Sequence, residues 1–121
     1  MVTLQSDARS QRLTAFLSGE IDHHSAKTIR EEIDLAVSEQ IPKELWLDFR
    51  DVSFMDSSGI GLVMGRVRLM ELHGGQVSVC NPSAHISKVM RLSGIDRLAR
   101  LQTAPQSVMA AAESNTGGES V

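Results

Sequence analysis

From residue 44 onward the chain alternates strand-like and helix-like segments, and this alternation restricts the fold more than any other feature. A strand, a crossover helix and a second strand bring the chain back to the same end of a sheet, so the strands become parallel and the helices pack on them. Residues 44–49 set Leu45, Leu47 and Phe49 on one face and Trp46 on the other, as in a strand covered on both sides. Residues 57–72 follow as a helix with Ile60, Val63, Met64, Val67 and Met70 at helical spacing, widened by Leu62, Leu69 and Leu72. His73, Gly74 and Gly75 stop that helix, and residues 76–80 form a valine-rich strand. Asn81, Pro82 and Ser83 turn the chain, and Ser83 caps a short helix that runs through Leu92 and ends at Ser93 and Gly94. Residues 98–102 read as a last strand, and Pro105 opens a final helix to about Glu113.

Ahead of this alternation, residues 3–7 and 12–18 read as a hairpin joined by the polar residues 8–11. Residues 19–24 read as a loop. A helix follows, with Ser25 as N-cap and Ala26, Ile29, Ile33 and Val37 on its apolar side, ended by Ile41 and Pro42. The expectation is one α/β domain over residues 1–113, built on a mixed β-sheet of about four to five strands with helices packed on it. Residues 114–121 read as a disordered Gly/Ser-rich tail. There are no internal repeats and no linker between domains.

Composition excludes several function classes. The 121 residues carry a net charge of −3, which argues against a nucleic-acid binder, since such a protein needs basic charge to neutralise phosphates. No stretch approaches the roughly 18 continuous apolar residues of a membrane span. Residues 1–6 lack the apolar core of a signal peptide. Cys80 is the single cysteine, so no intramolecular disulfide forms, and a reducing cytoplasm fits. Cys80 itself reads as a small buried residue at a strand end.

The run Phe54-Met55-Asp56-Ser57-Ser58-Gly59-Ile60-Gly61 holds the candidate site. Asp56 and the serines stand at a helix start, where backbone N–H groups lack internal partners and negative charge is favoured. A serine there is well placed to gain and lose a phosphate, although residues of these types before a helix are also ordinary caps. The glycines add information. Gly59, Gly61 and Gly65 each cost the helix up to about 1 kcal/mol relative to alanine. Ser57, Gly61 and Gly65 share one face and leave it almost bare. Either the helix packs very close to its own sheet, or a partner's backbone comes close there.

Other chemistries find less support. Asp22, His23 and His24 suggest a metal site only weakly, because adjacent histidines in an extended loop point apart, and His73 and His85 have no ligand spacing to them. No Gly-x-Ser-x-Gly stands around a nucleophile, and no lysine follows Gly59-Ile60-Gly61 to cradle a phosphate. Met55, Met64 and Met70 read as core rather than partner surface, with Met64 fitting either role. No metal and no cofactor is expected.

The run Asp56-Ser57-Ser58-Gly59 resembles that of the STAS-domain anti-sigma-factor antagonists, and the resemblance covers about residues 3–103. Its further markers are Leu17-Ser18-Gly19-Glu20-Ile21-Asp22, Leu47 through Met55, Gly74-Gly75 before a valine-rich strand, and Leu92-Ser93-Gly94-Ile95. Asp22-His23-His24-Ser25-Ala26 looks most like the branch that acts in stage II of sporulation. The resemblance implies a protein switch in transcription regulation rather than an enzyme. Unphosphorylated, such a protein binds an anti-sigma factor that is also a serine kinase, and the sigma factor is freed. The kinase phosphorylates the first serine of the pair, which maps onto Ser57, and a serine phosphatase resets it. The Asp22 loop becomes part of the docking surface together with Asp56, Ser57, Ser58, Gly59, Ile60, Gly61 and Leu62, where Ile60 and Leu62 supply apolar contact and Gly61 permits close approach. The free protein is expected to be a cytoplasmic monomer. Two other readings stay open: a constitutive scaffold subunit of a signalling or transport complex, and a nucleotide-binding or hydrolytic domain.

Overall fold

The structure, a computed structural model, describes residues 1–103. The helix expected from Pro105 and the tail at 114–121 lie outside the described residues. Five strands, β1 (Val2–Asp7), β2 (Arg12–Ile21), β3 (Glu44–Met55), β4 (Gln76–Cys80) and β5 (Arg100–Gln102), form one sheet in sequential order. β1 and β2 are an antiparallel hairpin, and the remaining pairings are parallel. The helices are α1 (His23–Gln40), α2 (Ser57–Leu72) and α3 (Ala84–Leu92), with a short 3-10 turn at Ile95–Arg97. The mixed α/β sheet expected from the alternation is therefore present. Right-handed crossovers between neighbouring parallel strands put α1 and α2 on the same face. That face carries Leu13, Ala15, Leu17, Leu45, Leu47 and Phe49, all almost fully buried.

Several boundaries differ from expectation, each for a physical reason. β2 runs on to Ile21 and β3 to Met55, both longer than their alternation suggested. Ten residues of β2 pair with twelve of β3, yet both ends are flush, with Arg12 opposite Glu44 and Ile21 opposite Met55. The excess residues of β3 are taken up where the register shifts, between Phe16 and Ser18 and between Gly19 and Glu20. Such bulges break the period of two on which a strand is read from sequence. Gly19, at φ +81°, takes the left-handed conformation beside the second shift. β5 is shorter than expected, because Ile95–Arg97 winds into the 3-10 turn before it.

The opposite sheet face is partly closed. Thr14, Asp48 and Cys80 are buried on it, and Trp46 is half-buried under the Arg12 guanidinium, which lies 4.0 Å from the ring centroid. Burial pushes the Cys80 thiol up to about 11, so it is an unreactive core residue.

α2 departs most from its expected packing. Its buried residues are Gly59, Leu62, Val63, Arg66, Val67 and Met70, while Ile60 and Met64 are half-buried and Leu72 is exposed. The buried set follows the three-and-four spacing of a helix face. The apolar residues lie almost all round this helix, so their periodicity does not choose that face. Arg66, inside it, meets Asp34 of α1 at 2.9 Å, as a charge pair without hydrogen-bond alignment, and its Nη1 is buried with no partner. Burial pulls the guanidinium below its ordinary value, Asp34 opposes this, and Arg30 adds to it.

A buried ion pair of this kind contributes little net stability, but breaking it from one side leaves a charge stranded. Arg66→Met is expected to keep stability within about 1 kcal/mol of the parent or to raise it. Asp34→Ala is expected to lower it by about 1–3 kcal/mol. Urea titrations of the two variants check the pair. Equal stabilities would mean that Asp34 does not compensate the buried guanidinium.

Candidate functional site

The flush ends of β2 and β3 create the site. Ile21 and Met55 are paired, and the Asp56 N–H donates to the Ile21 carbonyl at 3.1 Å. Each strand is followed by an aspartate that caps a helix, Asp22 for α1 and Asp56 for α2. The Asp22 carboxylate accepts from the His24 and Ser25 amides at 2.9 Å each. The Ser25 hydroxyl accepts in return from the Asp22 N–H at 2.9 Å and donates to the Glu20 carbonyl at 2.9 Å. Ser25 is thus the third residue of a capping box and not the N-cap, and His23 and His24 belong to the helix rather than to a loop. The Ser25 amide, more than any other group, holds the Asp22 carboxyl below its usual range.

Asp56 accepts from the Ser58 amide at 2.8 Å. That bond leaves the two hydroxyls in different settings. Ser57 is exposed, and its hydroxyl has no hydrogen-bond partner among the described residues. Ser58 is half-buried and forms part of the wall of an open cleft of about 410 Å³ between α1 and α2. His23, Ala26, Lys27, Arg30, Gly61 and Leu62 complete the lining.

The glycines of α2 separate into two kinds. A Cβ on Gly59 would run into Cγ and Sδ of Met55, a core residue, so Gly59 is required by the protein's own packing. A Cβ on Gly61 or Gly65 would meet nothing within 4 Å. The bare strip beyond Gly59 is therefore not explained by the sheet beneath it. Ile60 is half-buried and available for contact, whereas Leu62 is 4% exposed and belongs to the core, touching only the edge of the cleft.

Sequence reasoning overlooked Phe54, 54% exposed on the last turn of strand before Asp56, where Met55 points in and Phe54 out. The signal was present in that alternation but was masked by reading β3 as ending at Phe49. It also overlooked Lys27 and Arg30, which share the His23 face of α1 at helical spacing. Among the described residues no group of three or more His, Cys, Asp or Glu could hold a metal, and no helix is long and apolar enough to cross a membrane. The rings of His23 and His24 meet edge to face at 5.4 Å.

Comparison with known proteins bears on this geometry. A model of the STAS domain family matches residues 5–108. The chain is 33% identical over 82 residues to an anti-sigma F factor antagonist of Paenibacillus polymyxa, covering 68% of this chain and 70% of the relative. It is 40% identical over 79 residues to an anti-sigma F factor antagonist of Lysinibacillus sphaericus, covering 65% and 68%. Among solved structures it is similar to the anti-sigma factor antagonist SpoIIAA in its unphosphorylated form, with TM-score 0.76 at 30% identity, covering 98% of this chain and 100% of the other. The phosphorylated form of SpoIIAA, described as a Bacillus cell fate determinant, matches with TM-score 0.71 at 31% identity, covering 93% and 98%.

The two kinds of glycine differ measurably. Gly61→Ala is expected to raise stability by about 0.5–1 kcal/mol, since alanine is the better helix former and finds open space. Gly59→Ala is expected to lower it by about 1–3 kcal/mol, since Met55 must leave its packed position. Thermal melts of the two variants decide this, and a destabilised Gly61→Ala would return the bare strip to an internal packing role.

Proposed function

The chain belongs to the STAS domain family, among its anti-sigma-factor antagonists, and from that membership we propose a partner-switching cycle controlled at Ser57. In the unphosphorylated form the protein binds an anti-sigma factor that is also a serine kinase, and the sigma factor is released. The kinase transfers the γ-phosphoryl group of ATP to the Ser57 hydroxyl, ADP leaves, and the modified protein dissociates. A serine phosphatase hydrolyses the phosphate and restores the first state. The cycle runs in the cytoplasm, in the control of sporulation, and the free protein is a monomer.

The observation that carries this reading is the setting of Ser57. Its hydroxyl is exposed and without a partner, on the first residue of α2, beside the Asp22 cap. The known phosphorylated form of SpoIIAA supports the choice of a covalent switch. The docking surface is Asp22, the first turn of α2 and Gly61, with Ile60 and Phe54 as apolar contacts. Leu62 lies beneath this surface and is not one of its contacts.

The switch acts at the interface and not through the fold. A phosphate on Ser57 gains roughly 0.3–1 kcal/mol from the helix dipole. Asp56, one residue away, opposes it by a screened amount of about 0–1 kcal/mol. The two nearly cancel, so the isolated domain has no reason to rearrange. At an interface, a group carrying about −1.5 to −2 charge must shed water, which costs several kcal/mol unless a cation is supplied. Even about 2.8 kcal/mol weakens binding a hundredfold.

Ser57→Ala is expected to fold, to bind the anti-sigma factor and to take up no phosphate from the kinase and ATP, as read by mass spectrometry. Stoichiometric phosphate on that variant would move the acceptor to Ser58 or elsewhere. Amide spectra of the phosphorylated and unphosphorylated forms are expected to differ only around Ser57 and its neighbours. Shifts spread through the sheet would instead indicate an internal conformational change.

A further inference from the structure

Beyond the Asp22 cap, the charge order along α1 is the reverse of what the helix itself favours. A helix is stabilised by acidic residues near its N-terminus and basic residues near its C-terminus. α1 carries His23, His24, Lys27 and Arg30 up to residue 30 and Glu31, Glu32, Asp34 and Glu39 after it. No acidic residue stands in its first turn and no basic residue in its last. Helix stability therefore does not account for this arrangement, and neither does the overall charge of −3.

Intramolecular pairing does not account for it either. Among the described residues the ion pairs are Arg12 with Asp7 and Arg66 with Asp34. Lys27 and Arg30 have none, both are exposed, and both line the cleft beside Ser58. Asp34, four residues on from Arg30, is already engaged by the buried Arg66, and Glu31, four residues on from Lys27, forms no ion pair with it. The cleft wall thus holds two cations that form no ion pair among the described residues.

We propose that this cleft receives an acidic segment of the protein partner, its carboxylates pairing with Lys27 and Arg30 while the partner's backbone passes over Gly61. The inference rests on the partner-switching reading above and adds the chemistry by which the unphosphorylated surface recognises its partner. A peptide fits better than a lone phosphate. The two cations stand three residues apart on one face of α1 and line the same cleft, so they can pair with successive acidic side chains. The Ser58 amide is already bound by Asp56 and is not free to cradle a phosphate. Gly61, with open space where a Cβ would be, lets a chain lie against α2 at the cleft mouth.

Two measurements on the full chain test this. In the first, isotope-labelled protein is titrated with a hexaglutamate peptide and, separately, with inorganic phosphate. Amide shifts at residues 23–30 and 58–62 are expected with the peptide and are expected to vanish in the double variant Lys27→Glu, Arg30→Glu. Shifts elsewhere only, shifts unchanged in the variant, or a response to phosphate alone would overturn the proposal. In the second, affinity for the anti-sigma factor is measured against salt. The double variant is expected to bind at least about tenfold more weakly, with a flatter salt dependence. If the parent fails to bind the anti-sigma factor, the partner-switching reading fails, while the peptide titration still decides the cleft. If the parent binds and the double variant binds equally well, the cleft proposal alone falls. Both side chains are exposed and unpaired, so a variant melting temperature close to the parent's separates recognition from folding.

Discussion

The parallel pairing of β2 with β3 is the contact on which the rest of this molecule depends. The two central strands carry most of the buried face and end together at Ile21 and Met55. Because they end together, their capping aspartates emerge side by side, and α1 and α2 start from one edge of the sheet. The hydrogen bond from Asp56 to the Ile21 carbonyl ties the two exits directly. Without that alignment Ser57 and Asp22 would be two unrelated helix starts. With it they share a surface, and the cleft between the helices opens next to them.

The site also shows how local stability and function divide neighbouring residues. Asp56 does structural work by capping α2, and Gly59 does so by leaving room for Met55. Ser57 and Gly61, between and beyond them, are supported by no such internal contact. A helix former at position 61 would serve the fold better than glycine does. Residues kept against the preference of their own helix are the ones whose reason lies outside the domain, and Lys27 and Arg30 fall in the same class.

Much of this was legible before the fold was seen. The strand and helix alternation fixed the mixed sheet, and the run from Phe54 to Gly61 located the helix start that carries the serines. What was not legible has specific causes. The end of β3 was hidden because the excess residues opposite Phe16–Glu20 break its alternation, which in turn hid the outward position of Phe54. The buried face of α2 was misread because Ile60, Leu62, Met64 and Leu69 surround the helix, so that a charged residue, Arg66, could occupy the core face unnoticed. Ser25 was read as the cap because both members of a capping box are cap-type residues, and only the hydrogen bonds show which one precedes the helix. The basic cleft belongs to two helices separated by a strand, and no local pattern joins them.

The seat of Gly59 on Met55 has one more consequence. First turns of helices ordinarily fray, opening and closing far more easily than the protein unfolds. Here the first turn of α2 rests on a core methionine, and its cap residue Asp56 is hydrogen-bonded to β2, so that turn is tied to the central strands. On the docking proposed at Ser57, a partner would meet a turn that is already held in place in the free protein. It need not supply the entropy of arranging that turn, and the affinity of the complex is set by what the two surfaces exchange on contact.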